Sequence, residues 1–501
     1  MLALGGCVRA GLTNDPLQLS SVRPKSSPVG VSTLLSIEGA GFKQGSTIQI
    51  GGMDCLEVNV RSSTDVTCLS PLLAEGLADV TASVTDGHAA VLPGAFMVYR
   101  AATADATFGE QGVVTTDIAG GNDYIWDSVV LLDDDRILIA GEFSVGEAGV
   151  RQPLLARYAP NGQLDPSFGT GGLVKVPVPP GFTQAWYCDH KLTSDGRIVA
   201  AGNGIDAAGN VLTHIARFSG DGRLDTTFEK DGVWSAQIGD SIDHSCQIEL
   251  DQTDAIYVGG HMNAGTDFDV QLLRLHADGQ IDVKYGANGR FRVDPGLKEL
   301  SFDFALLPDR RAVMGVAESP RVRLMGVTSD GHLDTAFGEG GYVVLPSGDT
   351  AAGLNRILLL DDGTMLVFGQ TSDATTSTGH DAAIWRILPG GVLDTDFGAN
   401  GLAVGDFNHA TDTAYDGTLL SDGRIVAVGD SRGPYEDGAM WAFTAKGVVD
   451  TSAGGGSLLV DVNGEHDRFY AVEQDSFGRL VAVGRTDNGA DRDLLIVRRW
   501  P

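Results

Sequence analysis

Short runs of apolar residues, separated by Gly, Asp and Asn, follow one another along most of the chain. The first examples lie at residues 112–118, 128–132, 137–141 and 154–158, and all are rich in Val, Ile and Leu. Runs of this length and composition, bounded by turn residues, predict β-strands. Because no stretch shows a helical apolar period long enough to connect parallel strands, the pattern predicts an all-β chain of antiparallel strands.

Tight turns join the second and third runs of each group. These turns carry pairs such as Asp195-Gly196, Asp362-Gly363 and Asp422-Gly423. Glycine accepts a positive φ, and the mirror-image turns that need one match the twist of the flanking strands. Each such pair of runs is therefore predicted to form a β-hairpin.

A motif of the form Asp-x-x-Phe-Gly-x-x-Gly recurs seven times among these runs, and its copies are 52 to 60 residues apart. The leading aspartates are Asp105, Asp165, Asp225, Asp282, Asp334, Asp394 and Asp450. A constant period of this length is typical of repeat architectures. Four antiparallel strands per repeat predict a seven-bladed β-propeller with one blade for each copy, and a solenoid is the alternative.

The two ends of the repeat array complete each other. The last copy ends with its third strand at residues 494–500, whereas residues 112–118 form a strand that precedes the first blade. We therefore expect residues 112–118 to supply the fourth strand of the last blade, which would close the ring and protect its edges. A solenoid would instead need polar caps at both ends.

The recurring motif itself is predicted to be structural. Aspartate caps turns, glycine supplies a positive φ, and one aromatic ring can pack between neighbouring blades. These aromatic residues are Phe108, Phe168, Phe228, Tyr285, Phe337 and Phe397, with Ala453 in the last copy. Seven equivalent aspartates indicate turn anchors and not seven active sites.

Several phrases within the repeats are similar to those of a known family. They include Leu-Leu-Ala-Arg-Tyr at 154–158, Asn-Gly-Gln-Leu-Asp at 161–165, Phe-Gly-Thr-Gly-Gly at 168–172 and Asp-Gly-Arg-Ile-Val-Ala-Ala-Gly at 195–202. In these phrases residues 105–501 resemble the delta-sixty repeat family of bacterial β-propeller proteins. The resemblance implies the fold and supplies no catalytic or cofactor-binding residue.

Residues 19–100 have a different pattern, with short strands expected at 34–38, 48–52, 58–60 and 80–84. Their number and the turn residues between them predict a small β-sandwich. The Gly-Ala-Gly-Phe phrase at 39–42, the Gly-Gly-Met-Asp-Cys phrase at 51–55 and the Phe-Met-Val-Tyr phrase at 96–99 resemble the immunoglobulin-like TIG (IPT) domain. That resemblance implies a binding or spacer module.

The TIG resemblance also bears on two cysteines. Cys55 and Cys68 match two positions that are often disulfide-bonded in such domains. A disulfide between them is therefore implied, and two buried free thiols are the alternative.

Residues 1–18 are expected to be a truncated lipoprotein signal and linker. The sequence Leu4-Gly5-Gly6-Cys7 resembles a bacterial lipobox, in which the cysteine becomes lipid-modified after cleavage. Only six residues precede Cys7, and an upstream start codon would explain the missing charged region. The resemblance implies a protein that is held at the bacterial outer membrane or cell surface by a lipid anchor.

Charge narrows the choice of partner. The chain of 501 residues has 35 basic and 66 acidic residues, a net charge of −31. A charge of this sign repels phosphate backbones, so nucleic acid is not an expected partner. No segment has the length and apolarity needed to span a bilayer, which leaves the lipid anchor as the expected membrane contact.

Alignment of the repeats places one residue of each blade in a ring near the central channel. The ring consists of Asp127, Cys188, Cys246, Phe302, Asn355, Tyr415 and Tyr470, and nearby polar residues are Asp123, Asp189, His190, Asp243, His244, Asp303, Asp412, His466 and Asp467. Cys188 and Cys246 occupy equivalent places in adjacent blades, so they are candidates for a disulfide, with buried thiols as the alternative. The polar groups predict either a wet channel mouth or a metal site.

Two function classes follow from these observations. The chain has no His-Glu-x-x-His helix, Gly-x-Ser-x-Gly elbow, phosphate loop or Cys-x-x-Cys pair, so we expect a non-enzymatic binding or scaffold protein without cofactor or metal. A metal-dependent hydrolase or lactonase with a site in the channel is the alternative. Residues 176–186, 202–211 and 369–381 are expected to be variable loops that bind a protein or glycan. The candidate ligand-binding residues are Trp186, Tyr187, Asp189, His190 and His244.

Overall fold

A computed structural model describes the chain over residues 16–144, 149–236, 243–263, 268–293, 300–318, 321–347, 353–372, 379–407, 410–433, 436–452, 455–462 and 464–501. These residues form strands and turns without any helix, as the apolar pattern predicts. Consequently no helix in the described part of the chain is long and apolar enough to cross a membrane. Cys7 lies outside the described residues.

The chain divides into two compact units. Unit 1 consists of Met1–Thr103 with Ser476–Arg479 and Trp500–Pro501, and unit 2 consists of Ala104–Asp475 with Leu480–Arg499. The strands of unit 1 are β1 (Gln18–Arg23), β2 (Ser26–Pro28), β3 (Leu34–Ala40), β4 (Thr47–Ile50), β5 (Met53–Asp54), β6 (Leu56–Val60), β7 (Asp65–Leu69), β8 (Gly76–Ser83) and β9 (Ala89–Tyr99).

Unit 1 is a β-sandwich, as predicted. One sheet has the order β1-β3-β7-β6 and the other the order β2-β9-β8-β4-β5. Residues of both sheets, such as Ile37, Ile50 and Phe96, share one buried core. Alternation of inward and outward side chains along each strand produces this core, because successive side chains point to opposite faces.

Cys55 and Cys68 lie in this core as free, buried thiols, so the disulfide implied for them is not formed. The two thiols are hydrogen-bonded to each other, and this contact together with burial raises the pKa of Cys68. A thiol with a raised pKa behaves as a small apolar side chain.

Unit 2 contains antiparallel sheets that we name sheets 1 to 7, in the order in which most of their strands occur along the chain. The strands of sheets 1 to 3 are β11 (Asp123–Leu131), β12 (Ile137–Phe143), β13 (Gln152–Tyr158), β14 (Leu173–Lys175), β15 (Phe182–Leu192), β16 (Ile198–Asp206), β17 (Val211–Phe218), β18 (Val233–Ala236), β19 (Asp243–Leu250), β20 (Ile256–Asn263), β21 (Phe268–Leu275) and β22 (Arg290–Val293).

Sheets 4 to 6 repeat this order. They comprise β23 (Leu300–Leu306), β24 (Ala312–Glu318), β25 (Arg321–Val327), β26 (Tyr342–Leu345), β27 (Gly353–Leu359), β28 (Met365–Ser372), β29 (His380–Leu388), β30 (Val392–Leu393), β31 (Leu402–Gly405), β32 (Thr411–Leu419), β33 (Ile425–Arg432), β34 (Glu436–Phe443) and β35 (Ser457–Val460).

Sheet 7 combines strands from both ends of the repeat array. It contains β36 (Asp467–Gln474), β37 (Leu480–Asp487), β38 (Arg492–Arg499) and β10 (Val113–Thr116). β10 pairs antiparallel with β38, for example through Val114 and Ile496. The prediction that residues 112–118 complete the last sheet is confirmed by this pairing.

The hydrophobic cores of unit 2 lie between consecutive sheets. One cluster joins Leu155 of sheet 1 to Ala200 of sheet 2, and equivalent clusters join each later sheet to the next. The cluster that contains Ile125 and Ile496 joins sheet 1 to sheet 7. The order of the sheets is therefore cyclic.

The recurring motif anchors these contacts, as predicted. Asp165 Oδ1 accepts hydrogen bonds from Ser167, and its Oδ2 accepts one from Arg157 of β13 at 2.8 Å. The same guanidinium lies over the Phe168 ring and donates to the carbonyl oxygen of Gly220, which precedes the motif of the next repeat. Equivalent arginines are Arg217, Arg386 and Arg498. The motif is thus a structural connection between sheets, and the sequence analysis missed its arginine.

Each first strand of a sheet has a register shift at the position of the predicted ring. In β15 the shift lies between Tyr187 and Asp189, and in β32 between Ala414 and Asp416. Equivalent shifts occur in the first strands of the other sheets. The alignment that placed Cys188 and Tyr415 in equivalent positions therefore matches a β-bulge, which redirects the strand. The side chains of Asp127, Cys246 and Phe302 lie outside the described part.

Candidate functional site

Trp186 and Tyr187 lie in a strand and not in a loop. β15 begins at Phe182, so the predicted loop 176–186 is shorter than expected. Tyr187 is fully buried and packs against His214 at 5.3 Å between ring centroids. Burial prevents a direct ligand contact of Tyr187 in this structure. Trp186 is buried as well. The guanidinium of Arg151 lies over its ring, with the guanidinium carbon 3.8 Å from the ring centroid.

Asp189 and His190 also face the interior. Asp189 Oδ2 accepts a hydrogen bond from the backbone N–H of Ile248 in sheet 3 at 2.9 Å. His190 Nε2 lies 3.1 Å from the carbonyl oxygen of Leu138 in sheet 1, and burial lowers the pKa of His190 to about 4. Both side chains therefore connect neighbouring sheets. His244 belongs to β19, and its side chain lies outside the described part.

Two cations and several carboxylates meet beside the bulges. Lys191 Nζ lies 3.0 Å from Glu249 and 3.8 Å from Asp189. Across the same region, Arg356 contacts Asp303 at 3.8 Å and Asp416 at 3.4 Å. Asp189 and Asp303 of this charged cluster are among the residues predicted near the central channel, whereas its other members are not. The carboxylates of the cluster pair with ammonium and guanidinium groups.

Burial raises the pKa of Asp303 to about 7, although Arg356 and the backbone N–H of Ile357 both favour its charged form. A raised carboxyl pKa near neutrality is one property of catalytic acids, but desolvated structural groups show it too. Among the described residues, carboxylates with metal-ligand spacing occur elsewhere, between consecutive sheets.

Cys188 is disulfide-bonded and buried. Its partner is not among the described side chains, so the pairing with Cys246 stays a prediction.

A pocket of about 500 Å³ lies where sheets 1 and 7 meet. Its lining residues are Asn122, Tyr124, Trp126, Glu142, Ser144, Gly149, Arg151, Gln184, Arg468, Tyr470, Arg485 and Arg492. The lining therefore combines four guanidinium groups with three aromatic rings, and we call it the arginine–aromatic pocket. Its volume falls within the range of about 300–1,000 Å³ that is usual for small-molecule sites.

The aromatic rings hold the guanidinium groups in place. Tyr124 and Trp126 stack at 5.6 Å between centroids, and Arg485 and Arg492 lie over the Tyr124 ring at 5.6 and 5.4 Å. Arg151 lies between the rings of Trp126 and Trp186. Stacking of this kind fixes the plane of a guanidinium and leaves its N–H donors free to point sideways.

Carboxylates in and beside the lining balance much of the charge. Glu142 of the lining pairs with Arg151 at 2.5 Å, Glu436 and Asp430 pair with Arg468, and Asp487 pairs with Arg492 at 3.1 Å. Arg492 also donates a hydrogen bond to the Tyr124 hydroxyl. Arg492 nevertheless exposes 37% of its side chain and Arg151 exposes 30%. Each therefore keeps donor capacity toward the pocket, since a guanidinium has five N–H donors.

The arrangement can bind an anion that also has an apolar face. A guanidinium fork matches a carboxylate with two parallel hydrogen bonds. Trp126, 37% exposed, offers a ring face beside the cations. Most of this site could not be predicted from the sequence, because Tyr124 and Arg492 are 368 residues apart. Of its lining residues, Tyr470 belongs to the predicted ring and Gln184 to the predicted loop 176–186.

Family models match two parts of the chain. Residues 17–97 match the IPT/TIG domain, which confirms the resemblance of residues 19–100. Residues 132–168 and 193–228 match a beta-propeller domain of unknown function, DUF5122, which is related to delta-60 repeats. No curated protein matches the chain in sequence.

Similar solved structures share little sequence with the chain. An auxiliary nutrient binding protein from Bacteroides thetaiotaomicron is 12% identical, with a TM-score of 0.32 and coverage of 97% of this chain and 98% of that protein. Domains 1–2 of Drosophila Semaphorin 1b are 8% identical, with a TM-score of 0.42 and coverage of 79% and 88%. The WD40 repeats of RRP9 are 12% identical, with a TM-score of 0.43 and coverage of 79% and 99%. At the level of families, the chain contains an IPT/TIG domain followed by segments of the DUF5122 beta-propeller type.

Proposed function

We propose that this chain is a non-enzymatic binding protein whose unit 2, a closed seven-bladed β-propeller, binds a carboxylate-bearing sugar in the arginine–aromatic pocket. The observation that carries the proposal is the pairing of exposed guanidinium groups with the exposed Trp126 ring in one pocket. The IPT/TIG domain serves as a spacer or second contact.

The charge of the pocket favours a carboxylate. Among the described residues that line it, four are arginines and one, Glu142, is acidic, within a chain whose net charge is −31. Carboxylates pair with part of each guanidinium, so a ligand meets the donors that Arg151 and Arg492 leave exposed, and the surrounding negative field opposes long polyanions. We therefore favour one uronate residue on an otherwise neutral glycan.

The ring of Trp126 and the amide groups favour a sugar over a flexible anion. Aromatic faces in binding pockets stack on apolar surfaces, and the few polar groups around them fix orientation. Asn122 and Gln184 also line the pocket and supply amide donors and acceptors for hydroxyl groups. An acidic peptide would use the same guanidinium groups and is an outcome that the test distinguishes.

A glycan and peptide array probed with the wild-type chain and with Trp126→Ala tests this function. We expect signals for uronate-bearing glycans, weakened about tenfold or more in the variant because buried aromatic contacts are typical hot spots. Arg223→Ala, which removes an exposed arginine distant in sequence from the pocket, serves as the control. Binding to acidic peptides alone, or equal binding by Trp126→Ala, would contradict the proposal.

We also propose that the protein is extracytoplasmic and lipid-anchored at Cys7, on the basis of the lipobox resemblance at residues 4–7. Acyl chains of this kind hold a protein at a membrane surface. Mass spectrometry of the native protein from membranes should find diacylglycerol on Cys7. Unlipidated protein recovered from the cytosol would contradict this part.

A further inference from the structure

Within the described residues of unit 2, three trios of aspartates lie between consecutive sheets. Each trio brings carboxylate oxygens within 4.8 Å of one another. The trios are Asp117, Asp123 and Asp493; Asp381, Asp406 and Asp412; and Asp437, Asp461 and Asp467. They lie outside both the charged cluster of Lys191 and the arginine–aromatic pocket.

The trios occupy the same place in the repeat. In each, one aspartate belongs to the third strand of a sheet, the second follows its fourth strand, and the last lies at the start of the next sheet. In the first trio these are Asp493 of β38, Asp117 just after β10 and Asp123 of β11. The first trio therefore connects sheet 7 to sheet 1, and the others connect sheets 5 to 6 and 6 to 7.

The loop of each trio also has a common hydrogen bond. Asp123 Oδ2 accepts the backbone N–H of Ile118 at 2.7 Å, one residue after Asp117. The equivalent bonds join Asp412 to Phe407 at 2.5 Å and Asp467 to Val462 at 2.6 Å. These bonds fix one oxygen of each carboxylate and orient the other.

The other oxygen of each of these carboxylates is unpaired. Asp123 and Asp412 are fully buried and Asp467 is 1% exposed, yet the Oδ1 atom of each is buried without a hydrogen-bond partner among the described residues. A buried polar atom that lacks a partner costs about 1–3 kcal/mol, and more when it is charged. Ser431 and Thr486 also form side-chain hydrogen bonds to Asp412 and Asp467, so the cost is largest at Asp123. The repetition of the arrangement at equivalent positions, each within a group of carboxylates, favours a compensating cation.

We propose that the three aspartate trios are binding sites for divalent cations of the calcium class, each of which links two consecutive sheets. Ca²⁺ takes six to eight oxygen ligands at about 2.3–2.6 Å, so oxygens around one ion lie up to about 5 Å apart. The spacing within each trio fits this limit. Water and backbone carbonyl groups complete such a shell, as they do in other calcium sites.

The test is calorimetric titration of Ca²⁺ into the full chain after removal of bound ions with a chelator. We expect three ions per chain and a rise in the thermal midpoint, because an ion that binds only the folded state stabilises it. Asp123→Asn, Asp412→Asn and Asp467→Asn should each remove one ion. Asparagine keeps an acceptor for the backbone N–H, so folding should be retained.

Thermal unfolding without Ca²⁺ is the check on folding, and we expect the variants to match or exceed the ion-free wild type because a repulsive charge has been removed. Asp133→Asn, a change of an exposed aspartate, should leave the stoichiometry at three. Absence of saturable binding with a Kd below about 1 mM, the weak limit of extracellular calcium modules, would overturn the proposal. Retention of three ions by a variant that combines Asp123→Asn, Asp412→Asn and Asp467→Asn would overturn it as well.

Discussion

Single residues in unit 2 are constrained most tightly where a bulge meets the second strand. A Cβ at Gly202 would overlap the carbonyl oxygen of Trp186, and a Cβ at Gly484 would overlap that of Arg468. The same relation holds at Gly141, Gly369 and Gly429. These glycines are therefore required by close approach of the backbone and not by a positive φ.

Gly202→Ala should lower the free energy of unfolding by about 3 kcal/mol, the upper range for overpacking of a rigid core. Gly209→Ala is the matched control, since Gly209 lies in the next turn with open space around it and a φ of 87°. The control should cost about 1–2 kcal/mol for the left-handed backbone alone. Equal losses in denaturant titrations would show that the close approach to Trp186 does not decide stability.

Asp303 predicts a pH dependence of stability. Its pKa in the folded state is about 7, above the value of about 3.9 for an unfolded aspartate. The folded state therefore binds more protons between these values, and this group lowers the free energy of unfolding as the pH rises from about 4 to 7. In Asp303→Asn the amide oxygen still accepts the N–H of Ile357, but the titration is lost.

We expect the Asp303→Asn variant to gain stability relative to the wild type as the pH rises from 5 to 8, in urea unfolding at each pH. For the exposed control Asp133→Asn, the difference in stability from the wild type should not change with pH. A difference between Asp303→Asn and wild type that does not change with pH would show that Asp303 is charged throughout.

At the scale of elements, the strand pattern was readable because each strand is short, apolar and bounded by turn residues. The pairing of β10 with β38 was readable as well, since the array begins with a fourth strand and ends with a third. The extent of β15 was not, because residues 182–186 belong to the segment 176–186 that is predicted to be a loop. Phe182 and Tyr187 pack against His214 and extend the strand instead.

The site was less predictable than the fold for a physical reason. Residues that recur in the repeats have a structural role in each sheet, as Asp165 and its partner Arg157 do. An arginine eight residues before the motif recurs as well, and its role could have been predicted from this spacing. A binding pocket is made from residues that differ between sheets. Tyr124 and Arg492 meet only because the chain closes between sheets 7 and 1.

Closure of the ring can be tested on β10. Replacing both Val114 and Thr115 by proline removes at least one N–H that points toward β38, because neighbouring N–H groups of a strand point to opposite sides. The same change at Leu173 and Val174 of β14 is the control, since β14 holds the equivalent place in sheet 1. We expect both to lower the thermal midpoint, and the β10 variant to lower it further because it also opens the ring.

If the β10 and β14 variants unfold at the same temperature, closure adds nothing to stability. Hydrogen exchange then provides the cross-check, since opening at β10 should expose the amides of β36 to β38 first.

The negative net charge of the whole molecule and the guanidinium groups of the pocket act on an anion in opposite directions. The chain has a net charge of −31, whereas the arginine–aromatic pocket presents four guanidinium groups. If the proposed function holds, we expect long-range repulsion and short-range recognition together to favour a ligand with one carboxylate on a neutral framework. Salt should therefore have a small effect on the affinity for such a ligand, because screening weakens both the repulsion by the net charge and the attraction by the guanidinium groups.

We propose that the exposed guanidinium groups of the pocket recognise a sugar carboxylate. Calorimetric titration of an oligosaccharide that ends in one glucuronate, compared with its neutral counterpart that ends in glucose, tests this recognition. We expect the wild type to bind the acidic form preferentially and Arg492→Ala to weaken this binding about 10- to 100-fold, the equivalent of about 1.5–3 kcal/mol for a charged hydrogen bond. Arg223→Ala should bind as the wild type does. Equal affinity for the two oligosaccharides, or full affinity in Arg492→Ala, would contradict the claim.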